Sequence, residues 1–194
     1  MDAQTFDHST LATPAPDCAR CLRLGAGRGS PPALPQGPLT ARLLIVAMAP
    51  HPADQVLAAS LDRLGLARGP TLIDTRITHA VRCVPPRNLP TPSEVRTCNP
   101  YLAGELAGLP NLRAVLALGV LAHAAVLSAC GIPPERIRYA HGAIHELPDG
   151  LILADCHPLS GTRLTPEWIE AALLGLLLRL DQPEQELGFT GEPA

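Results

Sequence analysis

Lysine is absent from this chain of 194 residues, and all fifteen of its basic residues are arginine. Aromatic side chains are also scarce, since the chain has only two Phe, two Tyr and one Trp. Its core must therefore be built from Leu, Ala, Val and Ile. Arginine is the better bidentate phosphate ligand, but composition alone does not assign that use to these side chains.

An excess of positive charge and a long apolar run are also lacking. The formal net charge of −3 excludes a wholly basic nucleic-acid binder, although it leaves room for a local basic patch. No stretch approaches the roughly 18 apolar residues that span a bilayer. The N-terminus "MDAQTFDHST" lacks the basic start and apolar run of a secretory signal. We therefore expect a cytoplasmic protein with no membrane partner.

Three regions differ in composition. Residues 1–40 are rich in Pro, Gly and Ala, which predicts an irregular N-terminal arm. Residues 41–180 alternate apolar runs of strand type with segments of helical spacing, which predicts one α/β domain. Residues 181–194 are polar with two prolines, which predicts a flexible tail.

The order of elements in the second region predicts the fold class. Strands are expected at "ARLLIVAMA", "TLIDTRITHAV", "RAVLALG" and "LILADC", with a further short apolar segment at "AIHELP". Helices are expected over 53–66, 91–106, 120–129 and 165–180, the second opened by the capping box Thr91–Glu94. This alternation predicts a three-layer α/β/α sandwich with a mainly parallel, four-stranded central sheet. Ligands bind such sheets at the carboxyl ends of the strands.

Four of the six cysteines have the count and spacing of a metal site. Cys18 and Cys21 form a CxxC pair, and Cys83 and Cys98 are separated by fourteen residues. Four thiolates suffice for a tetrahedral zinc or a cubane iron–sulfur cluster, and spacing alone does not choose between them. Two unrelated buried thiols at 83 and 98 are the other interpretation. Cys130 and Cys156 follow apolar runs and are predicted to pack in the core.

Arginines surround both cysteine pairs. Their positive charge suits either a negatively charged cluster or DNA phosphates, and an ordinary solvated face is the alternative. They are Arg20, Arg23 and Arg28 near the CxxC pair, and Arg76, Arg82, Arg87 and Arg96 near the other.

The segment "AVRCVPPRNLPTPSEVRTC" at 80–98 resembles the iron–sulfur uracil-DNA glycosylases, closest to family 5 with features of family 4. "CARC" resembles the N-terminal CxxC of that superfamily, and "MAP" at 48–50 resembles the start of its motif A. "LALGVLAHAAVL" resembles its strand–Gly–helix segment, and "CHPLSGTRLTPE" its His-Pro motif. The resemblance covers roughly residues 18–180.

The resemblance implies a monomeric enzyme that excises uracil or another deaminated base from DNA after flipping it out of the duplex. Breaking the N-glycosidic bond leaves negative charge on the base, and a donor such as His157 stabilises it. Asp54 is the carboxylate nearest motif A that is available to orient water, and it also suits the first turn of a helix. The implied ligands of a structural [4Fe-4S] cluster are Cys18, Cys21, Cys83 and Cys98.

The resemblance also implies where base and DNA would bind. The base pocket is expected at Ala49, Pro50, His51 and His79. Leu159 is the expected wedge into the gap left by the base. Phosphate contacts are expected at Arg87, Arg163 and Thr165. Without the resemblance, His157 would be interpreted as a surface-loop histidine.

Two departures from the family pattern keep other functions open. Motif A is shortened and has no Phe or Tyr, and His79 stands where family 4 has an Asn that reads the base. The first alternative is a catalytically inactive [4Fe-4S] DNA-binding module of the same superfamily. A second is a zinc-stabilised protein unrelated to DNA.

Overall fold

The structure is a computed structural model that describes residues 17–24, 31–51, 54–158 and 166–181. The side chains of residues 54, 55 and 88 fall outside this description. The strands are β1 Leu43–Ala47, β2 Ala67–Arg68, β3 Thr71–Leu72, β4 Thr75–His79, β5 Ala114–Leu118, β6 Ile144–Glu146 and β7 Ile152–Cys156. The helices are α1 Asp54–Arg63, α2 Pro92–Ala107, α3 Val120–Ala129 and α4 Pro166–Leu180.

The central sheet has five strands in the order β4-β1-β5-β7-β6. The first four are parallel, as predicted, and β6 pairs with β7 in the antiparallel direction. The predicted count of four strands is therefore one too few. The fifth strand forms because a tight turn at Gly150 (φ +83) folds the "AIHELP" segment back on β7, and Leu147 N–H donates to the Leu151 carbonyl at 2.9 Å.

Helices cover both faces of the sheet, so the predicted three-layer sandwich is confirmed. On β1, Leu43 and Ile45 belong to the core that α1 and α4 cover. Leu44 and Val46 point to the other face, which α2 and α3 cover. Parallel strands buried on both faces are apolar throughout rather than alternating, as the sequence of β1 shows.

The start of α2 follows the predicted capping box. The Thr91 side chain accepts from the Glu94 N–H, the Glu94 carboxylate accepts from the Thr91 N–H, and Pro92 occupies the first turn. The predicted second strand over 71–81 is wrong in extent. Asp74 adopts a left-handed conformation (φ +51), which separates β3, the second strand of the small β2–β3 hairpin, from β4.

The described part of the arm is attached to the domain. Residues 17–24 and 31–40 contain no helix or extended strand. Gln36 nevertheless forms an antiparallel bridge with Ile77 on β4 and covers part of that edge strand. Among the helices that the structure describes, none combines the length and apolarity needed to cross a bilayer.

Candidate functional site

The carboxyl ends of the parallel strands bring several predicted site residues to one edge of the sheet. His79 ends β4, residues 48–51 follow β1, and His157 follows β7. Backbone hydrogen bonds join the first two segments, from Ala80 N–H to the Ala47 carbonyl (2.8 Å) and from Val81 N–H to the Met48 carbonyl (3.0 Å). β7 lies three strand spacings from β4, about 14 Å. His79 and His157 therefore lie on the same edge of the sheet, with the ends of β1 and β5 between them.

The β1 side of this edge is compact. Ala49 is buried, and Pro50 and His51 are half-buried. The side chain of the predicted catalytic Asp54 lies outside the description, although its backbone begins α1. The structure therefore does not test the role predicted for this carboxylate.

His79 is a buried imidazole without a partner. It is 5% exposed, and neither ring nitrogen has a hydrogen-bond partner within the part of the chain that the structure describes. Burial, and secondarily the positive charge of Arg82, lowers the pKa of His79 to about 4. The ring is therefore neutral at physiological pH and offers one donor and one acceptor.

His157 lies where β7 meets the start of α3. Gly119 N–H donates to the Cys156 carbonyl at 2.8 Å, which joins the ends of β5 and β7. Gly119 itself has φ +97 and ψ 164, a conformation that essentially only glycine adopts. A Cβ on Gly119 would lie 2.9 Å from the Pro158 Cβ, so the bare backbone lets the 157–158 segment approach closely.

Replacing Gly119 with alanine is expected to lower the free energy of unfolding by about 1–3 kcal/mol for backbone strain, with a further loss from the clash with Pro158. Gly131→Ala is the matched control, because Gly131 also has a positive φ (+72) but no atom lies within 4 Å of the position that its added Cβ would take. Urea unfolding of both variants separates the two effects. Equal losses in the two variants would contradict the close approach of Pro158.

A second histidine contacts His157, and sequence reasoning missed it. The rings of His141 and His157 stack with centroids 3.8 Å apart and an interplanar angle of 17°. Trp168, in the first turn of α4, meets the His141 ring edge-on at 4.9 Å. Burial, and secondarily the charge of His157, lowers the pKa of His141 below its usual value of 6.5. No periodicity or motif signalled this pairing.

A buried polar network holds the end of β7. Asp155 is fully buried and accepts from His123 Nδ1 (2.7 Å) and from the Ala140 N–H (3.1 Å), and His145 Nε2 lies 3.2 Å from its carboxylate. His123 Nε2 lies 2.9 Å from the Ile137 carbonyl. Both nitrogens of His123 thus have hydrogen-bond partners, which fixes the orientation of its ring beside the end of β7.

The four predicted cysteine ligands line one largely apolar pocket beside the first turns of α2. Its walls include Cys18, Cys21, Cys83 and Cys98. All four are free thiols. Burial first, and then negative charge on Cys98, Cys18 and Cys21, raises the pKa of Cys83 to about 11. The four sulfur atoms are therefore within electrostatic reach of one another.

The remaining two cysteines pack as predicted. Cys156 is fully buried in the core, and Cys130 is half-buried against the α2–α3 core.

An ion pair attaches the CxxC segment to α2. Arg23 donates to both carboxylate oxygens of Glu94, from Nε at 2.7 Å and from Nη2 at 2.5 Å, and Nη2 also donates to the Leu89 carbonyl at 3.1 Å. The hydrogen bonds from Arg23, and after them those from Thr91, lower the pKa of Glu94 to about 2. The arm therefore docks beside the 83–98 loop through contacts that do not involve sulfur.

A buried charge network lies behind the thiol pocket. The Arg82 side chain is 1% exposed and pairs with Glu105, which also accepts from Arg76 Nε (2.7 Å) and Thr78 Oγ1 (2.6 Å). The backbone N–H of Arg82 lies 3.5 Å from Cys98 Sγ. Sequence reasoning placed Arg76 and Arg82 in a basic surface, but both form ion pairs with Glu105 inside the protein.

The predicted DNA contacts are only partly covered by the structure. Arg87 is exposed in a short 3-10 helix and has φ +57. Leu159, Arg163 and Thr165 lie outside the described residues.

Comparison with known proteins identifies the family. A family model described as the uracil DNA glycosylase superfamily matches residues 34–174. The type-5 uracil-DNA glycosylase of Mycobacterium bovis is 36% identical over an alignment of 159 residues. The alignment covers 66% of this chain and only 59% of that protein. A type-5 enzyme of Pyrobaculum aerophilum is 31% identical over 81% of this chain and 86% of its own length. A type-4 enzyme of the same organism is 35% identical over 48% of this chain and 46% of its own length.

The resemblance inferred from the cysteine segment and the His-Pro motif is thereby confirmed. The match extends over most of the α/β/α sandwich, from residue 34 before β1 to residue 174 within α4. The chain belongs to the uracil DNA glycosylase superfamily.

Proposed function

We propose that this protein is a DNA glycosylase that removes uracil, or another deaminated base, from DNA. In this reaction the base leaves with the electrons of its bond to the sugar C1′, and water supplies the hydroxyl that replaces it. Family membership, together with a histidine at the carboxyl end of β7, carries the proposal. Open α/β sheets bind their ligands at this edge.

His157 is the proposed donor to the leaving base. Negative charge develops on a base carbonyl oxygen as the glycosidic bond breaks, and a pre-oriented N–H beside that oxygen stabilises the charge. The half-buried position of His157 suits this role. Its ring is held by its neighbours, yet part of the residue is exposed at the carboxyl edge of the sheet.

His79 is the proposed reader of the base edge. A buried ring with two unpaired nitrogens loses hydrogen bonds to water that a ligand would restore. Its neutral form can donate to a base carbonyl and accept from a ring N–H. Ala49, Pro50 and His51 would form the adjoining wall, and Asp54 would orient the attacking water.

DNA binding is proposed along the loops that border this edge. Arg87 and Arg163 would neutralise phosphates, Thr165 would bind phosphate at the start of α4, and Leu159 would fill the gap that the flipped base leaves. These contacts predict affinity that falls as salt concentration rises.

The donor set of the thiol pocket fits a [4Fe-4S] cluster. Cys18, Cys21, Cys83 and Cys98 would hold it, and when bound it would tie the arm to the 83–98 loop. The resemblance of the 80–98 segment to the iron–sulfur branch of the superfamily favours this cluster over a single zinc ion.

An excision assay tests the proposed activity. Oligonucleotides carrying uracil, hypoxanthine or xanthine, both single- and double-stranded, are incubated with excess enzyme so that one turnover is observed. We expect uracil release by the wild-type protein and a rate at least about 100-fold lower for His157→Ala, because one preorganised donor contributes about that much.

The control is Leu178→Ala, a substitution at an exposed position on α4. Salt-dependent DNA binding with no base released from any substrate would establish the inactive DNA-binding module instead. Equal rates for wild type and His157→Ala would remove His157 from the chemistry.

A further inference from the structure

His141, whose ring stacks on His157, has no role in the chemistry described so far. We infer that His141 is a positioning residue, whose stacked ring holds the His157 ring in the orientation that the leaving base requires. This inference rests on the proposed function for its catalytic meaning, although the coupling of the two rings stands without it.

The geometry restricts His157 from two sides. The His141 ring covers one face of the His157 ring at 3.8 Å, and Trp168 meets His157 edge-on at 6.1 Å and 86°. Stacked and edge-to-face contacts of this kind favour defined ring orientations. His157 directly follows β7, which holds its backbone in place. Contacts that fix the ring therefore also set the direction in which its nitrogens point.

The loop that carries His141 is itself held firmly. Tyr139 Oη donates to the Cys156 carbonyl at 3.0 Å, and the Gly142 N–H donates to the Asp155 carbonyl at 2.8 Å. The Asp155 carboxylate also accepts from the Ala140 N–H. Each of these bonds joins a residue within two positions of His141 to a residue within two positions of His157. The two rings are therefore aligned by backbone and buried side chains rather than by chance contact.

Burial and the neighbouring ring oppose protonation of His141. Its Nδ1 is buried without a partner in the described part of the chain, and burial, followed by the charge of His157, lowers its pKa. Positive charge on both rings at 3.8 Å would be repulsive. A neutral His141 therefore offers the face of its ring to His157.

Other titratable groups surround the pair. Tyr139 lies in the same loop, Asp155 and Cys156 precede His157, and Glu167 precedes Trp168 in α4. His123 on α3 and His145 on β6 contact Asp155, and His123 also meets the Tyr139 ring edge-on at 5.8 Å.

Single-turnover kinetics of two variants test the positioning role. His141→Ala removes the stacked ring, and we expect a rate about tenfold to a hundredfold lower with unchanged affinity for DNA, since misplacement by about 1 Å costs that much. His141→Phe keeps a flat neutral ring and should recover at least tenfold of the loss. Leu178→Ala, which is 68% exposed on α4, controls for general effects of substitution.

A rate for His141→Ala within twofold of wild type would overturn the inference. So would a His141→Phe variant no faster than His141→Ala, because a hydrogen bond from His141 would then be what matters. Circular dichroism shows whether the alanine variant folds, and the phenylalanine variant decides the question where it does not.

Fluorescence tests the coupling without any substrate. Trp168 is the single tryptophan of the chain and contacts both rings, so quenching by a protonated imidazole reports their titration. In His157→Phe, the titration of His141 should move to higher pH than in the wild type, because the charge that lowers its pKa is gone. In His141→Phe that transition should disappear.

Identical fluorescence titrations in the wild type and both variants would overturn the coupling. A wild-type protein that releases no base would refute the proposed function, yet it would leave this fluorescence result unchanged. The two failures are therefore distinguishable.

Discussion

Replacing Glu105 with glutamine is expected to lower the free energy of unfolding by about 3–5 kcal/mol, since removing one partner of a buried ion pair leaves a charge uncompensated. Glu105 is 2% exposed and pairs with Arg82, whose side chain is 1% exposed, and with Arg76. Glutamine has nearly the same shape, so no cavity contributes to the loss. The loss measures the missing charge together with one acceptor oxygen that becomes an NH2 donor.

Urea unfolding followed by circular dichroism gives the stability change. Glu135→Gln makes the same chemical change at an exposed position and should alter stability by no more than about 0.5 kcal/mol. Arg82→Met combined with Glu105→Leu should lose less than the two single changes together, because replacing a buried pair with apolar groups is often neutral. A loss below about 1 kcal/mol for Glu105→Gln would show that water reaches this network.

Replacing Cys98 with alanine is expected to abolish the proposed iron–sulfur cluster. The protein, purified anaerobically, should lose its iron, its acid-labile sulfide and the broad visible absorbance of an iron–sulfur centre. The stability loss should equal or exceed that of a large core truncation, about 2–5 kcal/mol, because binding energy at a metal site is also folding energy. The Arg23–Glu94 pair would then hold the CxxC segment, while the Gln36–Ile77 bridge keeps the end of the arm on β4.

Cys130→Ala is the matched control, because Cys130 packs beside α2 and α3 and does not line the thiol pocket. It should retain iron and colour. The rate of trypsin cleavage reports whether the arm stays bound to the domain. Cleavage after Arg20 or Arg23 should be faster in Cys98→Ala than in Cys130→Ala. Wild-type protein that is colourless and carries zinc would contradict the cluster, and full iron content in Cys98→Ala would remove this thiol from the ligand set.

Features encoded by neighbouring residues were predictable. The capping box at Thr91–Glu94 lies within four residues, and the structure starts α2 there. Buried parallel strands appeared as continuous apolar runs, so β1, β5 and β7 were found close to their true bounds. The extra strand β6 was missed as a member of the sheet, because three residues carry too little periodicity to separate a strand from a loop.

Features that join distant residues were not predictable from patterns. The Arg23–Glu94 pair joins positions 71 apart, and the His123–Asp155 pair joins positions 32 apart. The basic surface predicted around the cysteines was wrong for Arg76 and Arg82, since a carboxylate on α2 draws both inward. Composition counts charges but does not show which of them meet.

The sequence by itself determined most of the order of strands and helices, the edge of the sheet at which a ligand is expected, and four cysteines suited to one metal centre. These follow from local periodicity, capping and residue type, which act over a few neighbours. Only the tertiary structure decided that His141 stacks on His157, that His79 is buried without a partner in the described part of the chain, and that the four thiols share one pocket. Packing decides such contacts, because it alone sets the distance between side chains that are far apart in the chain.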